Sequence, residues 1–185
     1  LYGNDYDGTF IPPLSQSTMI KRIVSFISVS SKEAENDRFR KRKELKGYSG
    51  TKKLPFREFY ATDDDSSISD CLFYYFSSIQ HYFSSLWKYD TKSKPTNVLQ
   101  STVGFEALMK ILKDILSIDN NIKFKNAFDK YVNKFADLQL HDTNQFPMTT
   151  RGKKILYYSI FIKVFPDDAS IEEKQRELES LHNAD

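Results

Sequence analysis

Ile68, Leu72, Phe76, Ile79, Phe83 and Leu86 recur at three- and four-residue spacing, the period of one face of an α-helix. Tyr74, Tyr75 and Tyr82 widen that face. The segment therefore predicts a long helix whose apolar side lies against a core. Asp63-Asp64-Asp65-Ser66-Ser67 precedes it. Such residues satisfy free amides and complement the dipole at a helix N-terminus. The pattern stops near Trp87–Tyr89, before the polar run DTKSKP. This helix is expected to be the most buried of the chain.

The same period recurs elsewhere. Ser15 or Ser17 is placed to cap a helix carrying Met19, Ile20, Ile23, Val24 and Ile27 on one face. Thr96 offers a cap for a helix running to about Ser117, with Gly104, Leu108, Ile111 and Ile115 in one stripe. Ile122–Leu140 carries Phe124, Phe128, Tyr131, Val132, Phe135 and Leu138 on its apolar side. Ile155, Leu156, Ser159, Ile160, Ile162 and Val164 form a further apolar helix before Pro166. A last, highly charged helix is anchored only by Ile171, Leu178 and Leu181 and is expected to be peripheral. Period-two alternation is nearly absent. The fold class is all-α, an irregular multi-helix bundle of about six helices. The expected organisation is a connecting segment 1–14, a helical domain 15–166 and a charged C-terminal helix 167–185. Within the domain, segment 32–57 is basic. Lys32–Lys46 reads as either an exposed helix or a disordered loop, and Gly47–Pro55 breaks any regular element.

With 39% apolar and 15% aromatic residues among 185, the chain has enough material for a core, which argues against wholesale disorder. No window approaches the roughly 18 apolar residues of a membrane span. The start, LYGNDYDGTF, has no basic and apolar leader pattern. No membrane association is expected. Cys71 is the only cysteine, which excludes an internal disulfide and suits a cytoplasmic location. Because the chain opens at Leu1 and Tyr2–Pro13 reads as a connecting segment, a piece of a longer protein is expected.

Gly104 stands inside a good helix-forming stretch, STVGFEALMKIL. An interior helical glycine costs about 1 kcal/mol relative to alanine, so it needs a reason. A phosphate-binding turn is one. Close packing against a bulky neighbour is the other, and the nearest cation, Lys110, is too distant in sequence to favour the first.

Net charge is only +2, so any basic surface must be local. Between Arg38 and Arg57 lie Arg40, Lys41, Arg42, Lys43, Lys46, Lys52 and Lys53, with Glu44 the sole acid and Tyr48 and Phe56 interleaved. Such a run suits sequence-independent contact with nucleic-acid phosphates. It equally suits a solvated linker. A second candidate is Thr149, Thr150, Arg151 and Lys153: Thr149 or Thr150 is placed to cap the helix that follows, and hydroxyls, cations and free amides there would bind an anion, the alternative being a solvent-exposed turn. The GxxxxGK[ST] spacing of a P-loop is missing. His81, His141 and His182 have no metal-ligand spacing, and His81 is expected to be a partly buried core residue. Asp63–Asp65 lacks the pattern of a calcium loop and reads as a helix cap. Cys71, among apolar residues, is expected to be inert. Neither a nucleophile–base pair nor a cofactor motif is present, so no catalytic residue is nominated.

The order of segments carries one further signal. LSQSTMIKRIVSFIS, LPFREFY, an acidic turn, LFYYFSSIQHYFSSLW, STVGFEALMKIL and TTRGKKILYYSIF follow one another between Leu14 and Phe165. This succession resembles the C-terminal helical half of bacterial DGQHR-domain proteins. The family's name-giving Asp-Gly-Gln-His-Arg motif lies in an N-terminal half similar to the ParB/sulfiredoxin-like nuclease fold, and it is absent here. The resemblance implies that the missing N-terminal half is a partner within one protein. It also implies a DNA-associated role, accessory or regulatory, in DNA phosphorothioation or phage defence. No family site residue transfers to this chain.

Two other functions compete with that one. A protein-interaction module or homo-oligomer would use Tyr74, Tyr75, Tyr82 and Trp87. An enzyme with its site between the two halves would draw on Thr149, Thr150, Arg151 and Lys153 for anion binding.

Overall fold

A computed structural model describes residues 14–45, 53–87, 97–119 and 126–183. Within them the chain is all-helical and contains no strand. The α-helices are α1 (Gln16–Val24), α2 (Ser31–Asp37), α3 (Arg57–Ala61), α4 (Asp65–Tyr82), α5 (Thr102–Ile118), α6 (Asp129–Val132), α7 (Thr150–Val164) and α8 (Ile171–Asn183). That is eight where about six were expected, because the start of the charged stretch Lys32–Lys46 lies in α2 and LPFREFY contributes α3. Both are short and stand on tertiary contacts more than on their own propensity. No helix among the described residues is long and apolar enough to cross a membrane.

Four helices have side-chain caps, three of them at expected positions and the fourth, Ser101, not. The Ser15 side chain accepts from Thr18 N at 3.1 Å, and Asp64 accepts from Ser67 N at 3.1 Å. Ser101 accepts from Gly104 N at 3.1 Å, and Thr149 accepts from Gly152 N at 3.2 Å. Each satisfies one amide that has no partner inside its helix. The expected cap Thr96 lies outside the described residues, and α5 starts at Thr102 under Ser101.

The most buried helix is α5, not α4: eight of its 17 residues are buried, against five of 18 in α4. The aromatic face of α4 is only partly covered, and Phe73 is 66% exposed. By contrast α5 meets α1, α7 and the 3-10 turn Val98–Gln100, and it receives a hydrogen bond from α4, Tyr75 Oη to the Leu108 carbonyl at 2.9 Å. Tyr75 is fully buried and meets Phe128 edge-on at 5.2 Å, which removes it from any interface. The long helix expected over Ile122–Leu140 is reduced to α6 and the 3-10 turn Asn133–Phe135, with 122–125 outside the described residues. Phe128, Val132 and Phe135 are nonetheless buried. On α1, Ile20 turns outward at 55% exposure, so the stripe is narrower than expected. α8 buries no residue fully, and Ile171, Leu178 and Leu181 rest against the core.

α5 and α7 form the most extensive helix pair. Lys153 donates to Glu106 at 2.7 Å, and Lys110 lies 3.6 Å from the Tyr157 ring centroid. Both contacts advance four residues on each helix, so the two run parallel and in phase.

Gly104 answers to neither expected reason in full. A Cβ there would meet the Val98 carbonyl oxygen at 2.0 Å. Close packing is indeed the cause, but the neighbour is the backbone of the preceding 3-10 turn and not a second helix. Gly152 repeats the arrangement, with a Cβ 1.7 Å from the Pro147 carbonyl oxygen. Backbone cannot swing aside as a flexible side chain does. Gly104→Ala and Gly152→Ala are therefore expected to destabilise by about 1–3 kcal/mol each in urea denaturation. Helix propensity alone would give a gain of about 1 kcal/mol. Stabilisation by either substitution would overturn the close-approach account.

Candidate functional site

The described parts of the basic segment, 32–45 and 53–57, pack on the body, and that sorts their cations. Arg57 is buried: its Nη1 donates to Asp37 Oδ2 at 2.6 Å and to the Ile27 carbonyl at 3.0 Å, and its Nε to the Leu45 carbonyl at 3.3 Å. Ser28 Oγ supports the same carboxylate at 3.2 Å. This pair joins the turn after α1, the end of α2 and the start of α3. It withdraws Arg57 from any phosphate contact. Arg42 forks onto Asp65 at 2.8 and 3.0 Å and stacks over the Tyr60 ring at 4.2 Å. Lys53 donates to the Ser117 carbonyl at the end of α5, at 3.0 Å. Lys46 and Lys52 lie outside the described residues. Arg38, Arg40, Lys41 and Lys43 remain exposed. Phe39 stands among them at 87% exposure, the most exposed of the large apolar side chains among the described residues. The sequence reading passed over it, since an apolar residue in a charged run carries no periodic signal.

The second candidate does not assemble as expected. The Thr149 hydroxyl is used as the α7 cap. Thr150 is exposed. Arg151 turns to α8, its Nε donating to the Leu181 carbonyl at 2.9 Å. Only Lys153 faces inward, and it joins a different group of residues.

That group lines a cleft of about 330 Å3 between α1, α5 and α7. Arg22, Lys110, Lys113, Lys153 and Lys154 surround it, and among the described residues Glu106 is the only carboxylate in its lining. Glu106 Oε1 accepts from Arg22 Nε at 3.0 Å and Oε2 from Lys153 Nζ at 2.7 Å. Lys113 donates to the Ser25 carbonyl at the end of α1, at 2.6 Å. Phe26, Ala107 and Met109, each 1% exposed, form an apolar floor. Sequence reasoning missed the cleft because its cations are scattered from residue 22 to 154. The four-residue spacing of Glu106, Lys110 and Asp114 on α5 marks one helix face. Only the fold adds Arg22 and Lys153.

Other candidates resolve without chemistry. Cys71 is buried, and burial pushes its thiol up to about 12, which leaves it an inert packing residue. His81 is exposed, contrary to the core role expected of it. Asp64 caps α4. Among the described residues no group of three His, Cys, Asp or Glu side chains is placed to hold a metal ion. Asp114 and Tyr157 bond to one another at 2.9 Å beside the cleft.

No family model, curated protein or solved structure matches this chain.

Burial acts to raise the Glu106 carboxyl pKa, but the hydrogen bonds from Lys153 and Arg22 outweigh it and hold the group below its ordinary 4.5. A carboxyl with a lowered folded-state pKa contributes stability that is complete above its unfolded value. The contribution is lost as pH falls through the folded one. Glu106→Gln is thus expected to lower stability by roughly 1 kcal/mol at neutral pH. In urea titrations the difference from wild type closes as pH drops below 4.5. A gap independent of pH would remove the ion pairs from this account.

Proposed function

We propose that the chain is the helical C-terminal part of a bacterial DNA-associated protein of the DGQHR type, accessory or regulatory in DNA modification or phage defence. Its own contribution is a sequence-independent contact with the DNA backbone, made from the segment Arg38–Lys43 that follows α2. The observation that carries this reading is the composition of that segment. Four exposed cations, Arg38, Arg40, Lys41 and Lys43, flank the exposed Phe39. Cations neutralise phosphates and release counterions, and an exposed ring gives unpaired bases a surface to stack on. Arg42, anchored on Asp65 and Tyr60, and the Asp37–Arg57 pair fix the two ends of the turn to the helical body. The order of segments described above supports the family reading independently, with the absent N-terminal half as the covalent partner.

A protein-interaction role draws on one specific feature. Phe73 on α4 is 66% exposed and meets Tyr74 edge-on at 5.7 Å, an apolar patch beyond the core. Tyr74, Tyr82 and Trp87 are half-buried beside the core.

Fluorescence anisotropy with labelled single- and double-stranded DNA across a salt series tests the backbone reading. Changing Arg38, Arg40, Lys41 and Lys43 together to Gln is expected to flatten the slope of log K against log salt on duplex by roughly 3 to 4. Phe39→Ala is expected to weaken single-strand binding by about 1–3 kcal/mol with little change in slope. Unchanged binding in the fourfold variant would sink this reading. Concentration-dependent self-association lost in Phe73→Ser would favour the interaction module instead.

A further inference from the structure

The cleft between α1, α5 and α7 uses none of the residues of the Arg38–Lys43 turn. We infer that it is a binding site for a compact, multiply charged phosphate group, in which Glu106 acts as an internal counter-ion that the ligand displaces.

Among the described residues five cations line about 330 Å3 of concave surface, with Glu106 the carboxylate in the lining and Asp114 beside it. That volume lies in the range of small-ligand sites. Like charges brought together repel, and the buried floor of Phe26, Ala107 and Met109 lowers the local dielectric and sharpens the repulsion. Glu106 relieves part of it by bridging Arg22 of α1 and Lys153 of α7 through its two oxygens. A phosphate oxygen pair has the same geometry and more charge. It is therefore suited to occupy the same bridge and to engage Lys154 and Lys110 as well. Glu106 hydrogen-bonds two of the five cations, and a di- or triphosphate carries more charged oxygens than one carboxylate.

The ligand's phosphates can belong to a free polyphosphate or to a nucleic-acid strand, and the experiment separates these sources. Calorimetric titration of the full chain with inorganic tripolyphosphate is expected to give saturable binding that weakens with salt. Lys154 is exposed, so Lys154→Glu tests the site without disturbing the core. It is expected to raise Kd roughly threefold to tenfold. Glu106→Gln removes the competing carboxylate and is expected to tighten binding severalfold, although the same change lowers stability. A merely structural Glu106 would not move affinity in that direction. Circular dichroism confirms that each variant is folded. The fourfold Gln variant of the Arg38–Lys43 turn is expected to bind tripolyphosphate as wild type does, so failure of either site is read separately. Displacement of tripolyphosphate by a duplex oligonucleotide assigns the site to strand phosphates, and its persistence assigns the site to a free polyphosphate. Absence of saturable binding in wild type would overturn the inference. Equal affinity in wild type, Lys154→Glu and Glu106→Gln would overturn it too.

Discussion

Two backbone carbonyls, those of Val98 and Pro147, sit where the side chains of residues 104 and 152 would begin. The architecture around the central helix depends on these two seats. In each case a hydroxyl cap, Ser101 or Thr149, binds the amide of the glycine three residues on. The chain before the helix can then cross its first turn at contact distance. Ser-Thr-Val-Gly and Thr-Thr-Arg-Gly are thus the same device used twice, once at the start of α5 and once at the start of α7. With both starts fixed in this way, the two helices lie parallel and in phase. Contacts then pair residues in equal steps along them.

Helical periodicity made most of this fold legible before the structure. The aromatic stripe of α4, the apolar face of α7 and three of the caps follow from local spacing and side-chain chemistry. What periodicity does not carry is the number of neighbours a helix has. α4 carries the longer apolar pattern in the sequence, yet α5 is buried more completely because it is approached from several directions. The Ile122–Leu140 pattern marked the right apolar residues and the wrong length of helix. A single turn of α-helix followed by a 3-10 turn buries Phe128, Val132 and Phe135 equally well. Likewise the glycine motif was visible, but its contact is with backbone six residues earlier and not with the stripe it belongs to.

The charges were least legible, for a physical reason. A basic run in sequence is uniform, whereas the fold divides it by long-range partners. Arg57 is committed to Asp37 and two carbonyls, and Arg42 to Asp65 and an aromatic face. Their neighbours at 38, 40, 41 and 43 point to solvent from the segment that these two arginines hold down. The two inward arginines give the outward cations a fixed base. A solvated linker of the same composition would hold its charges at no defined spacing, and it would lose more conformational entropy when a partner fixed them.

The α1–α5–α7 cleft inverts that logic. There the cations come from three helices and one carboxylate holds two of them together across 84 and 47 residues of sequence. Because Arg22 and Lys153 already point at a common anion, an incoming phosphate meets cations that are oriented before it arrives. The ordering cost has been met by folding and not by binding. The bridge also ties α1 to α7, so the anion that occupies it is part of the packing of the bundle. Replacing a carboxylate by a more highly charged group preserves that tie, whereas losing the anion would leave two facing cations on a low-dielectric floor. Occupancy and helix packing are therefore coupled at Glu106, and an anion that binds there stabilises the arrangement that binds it.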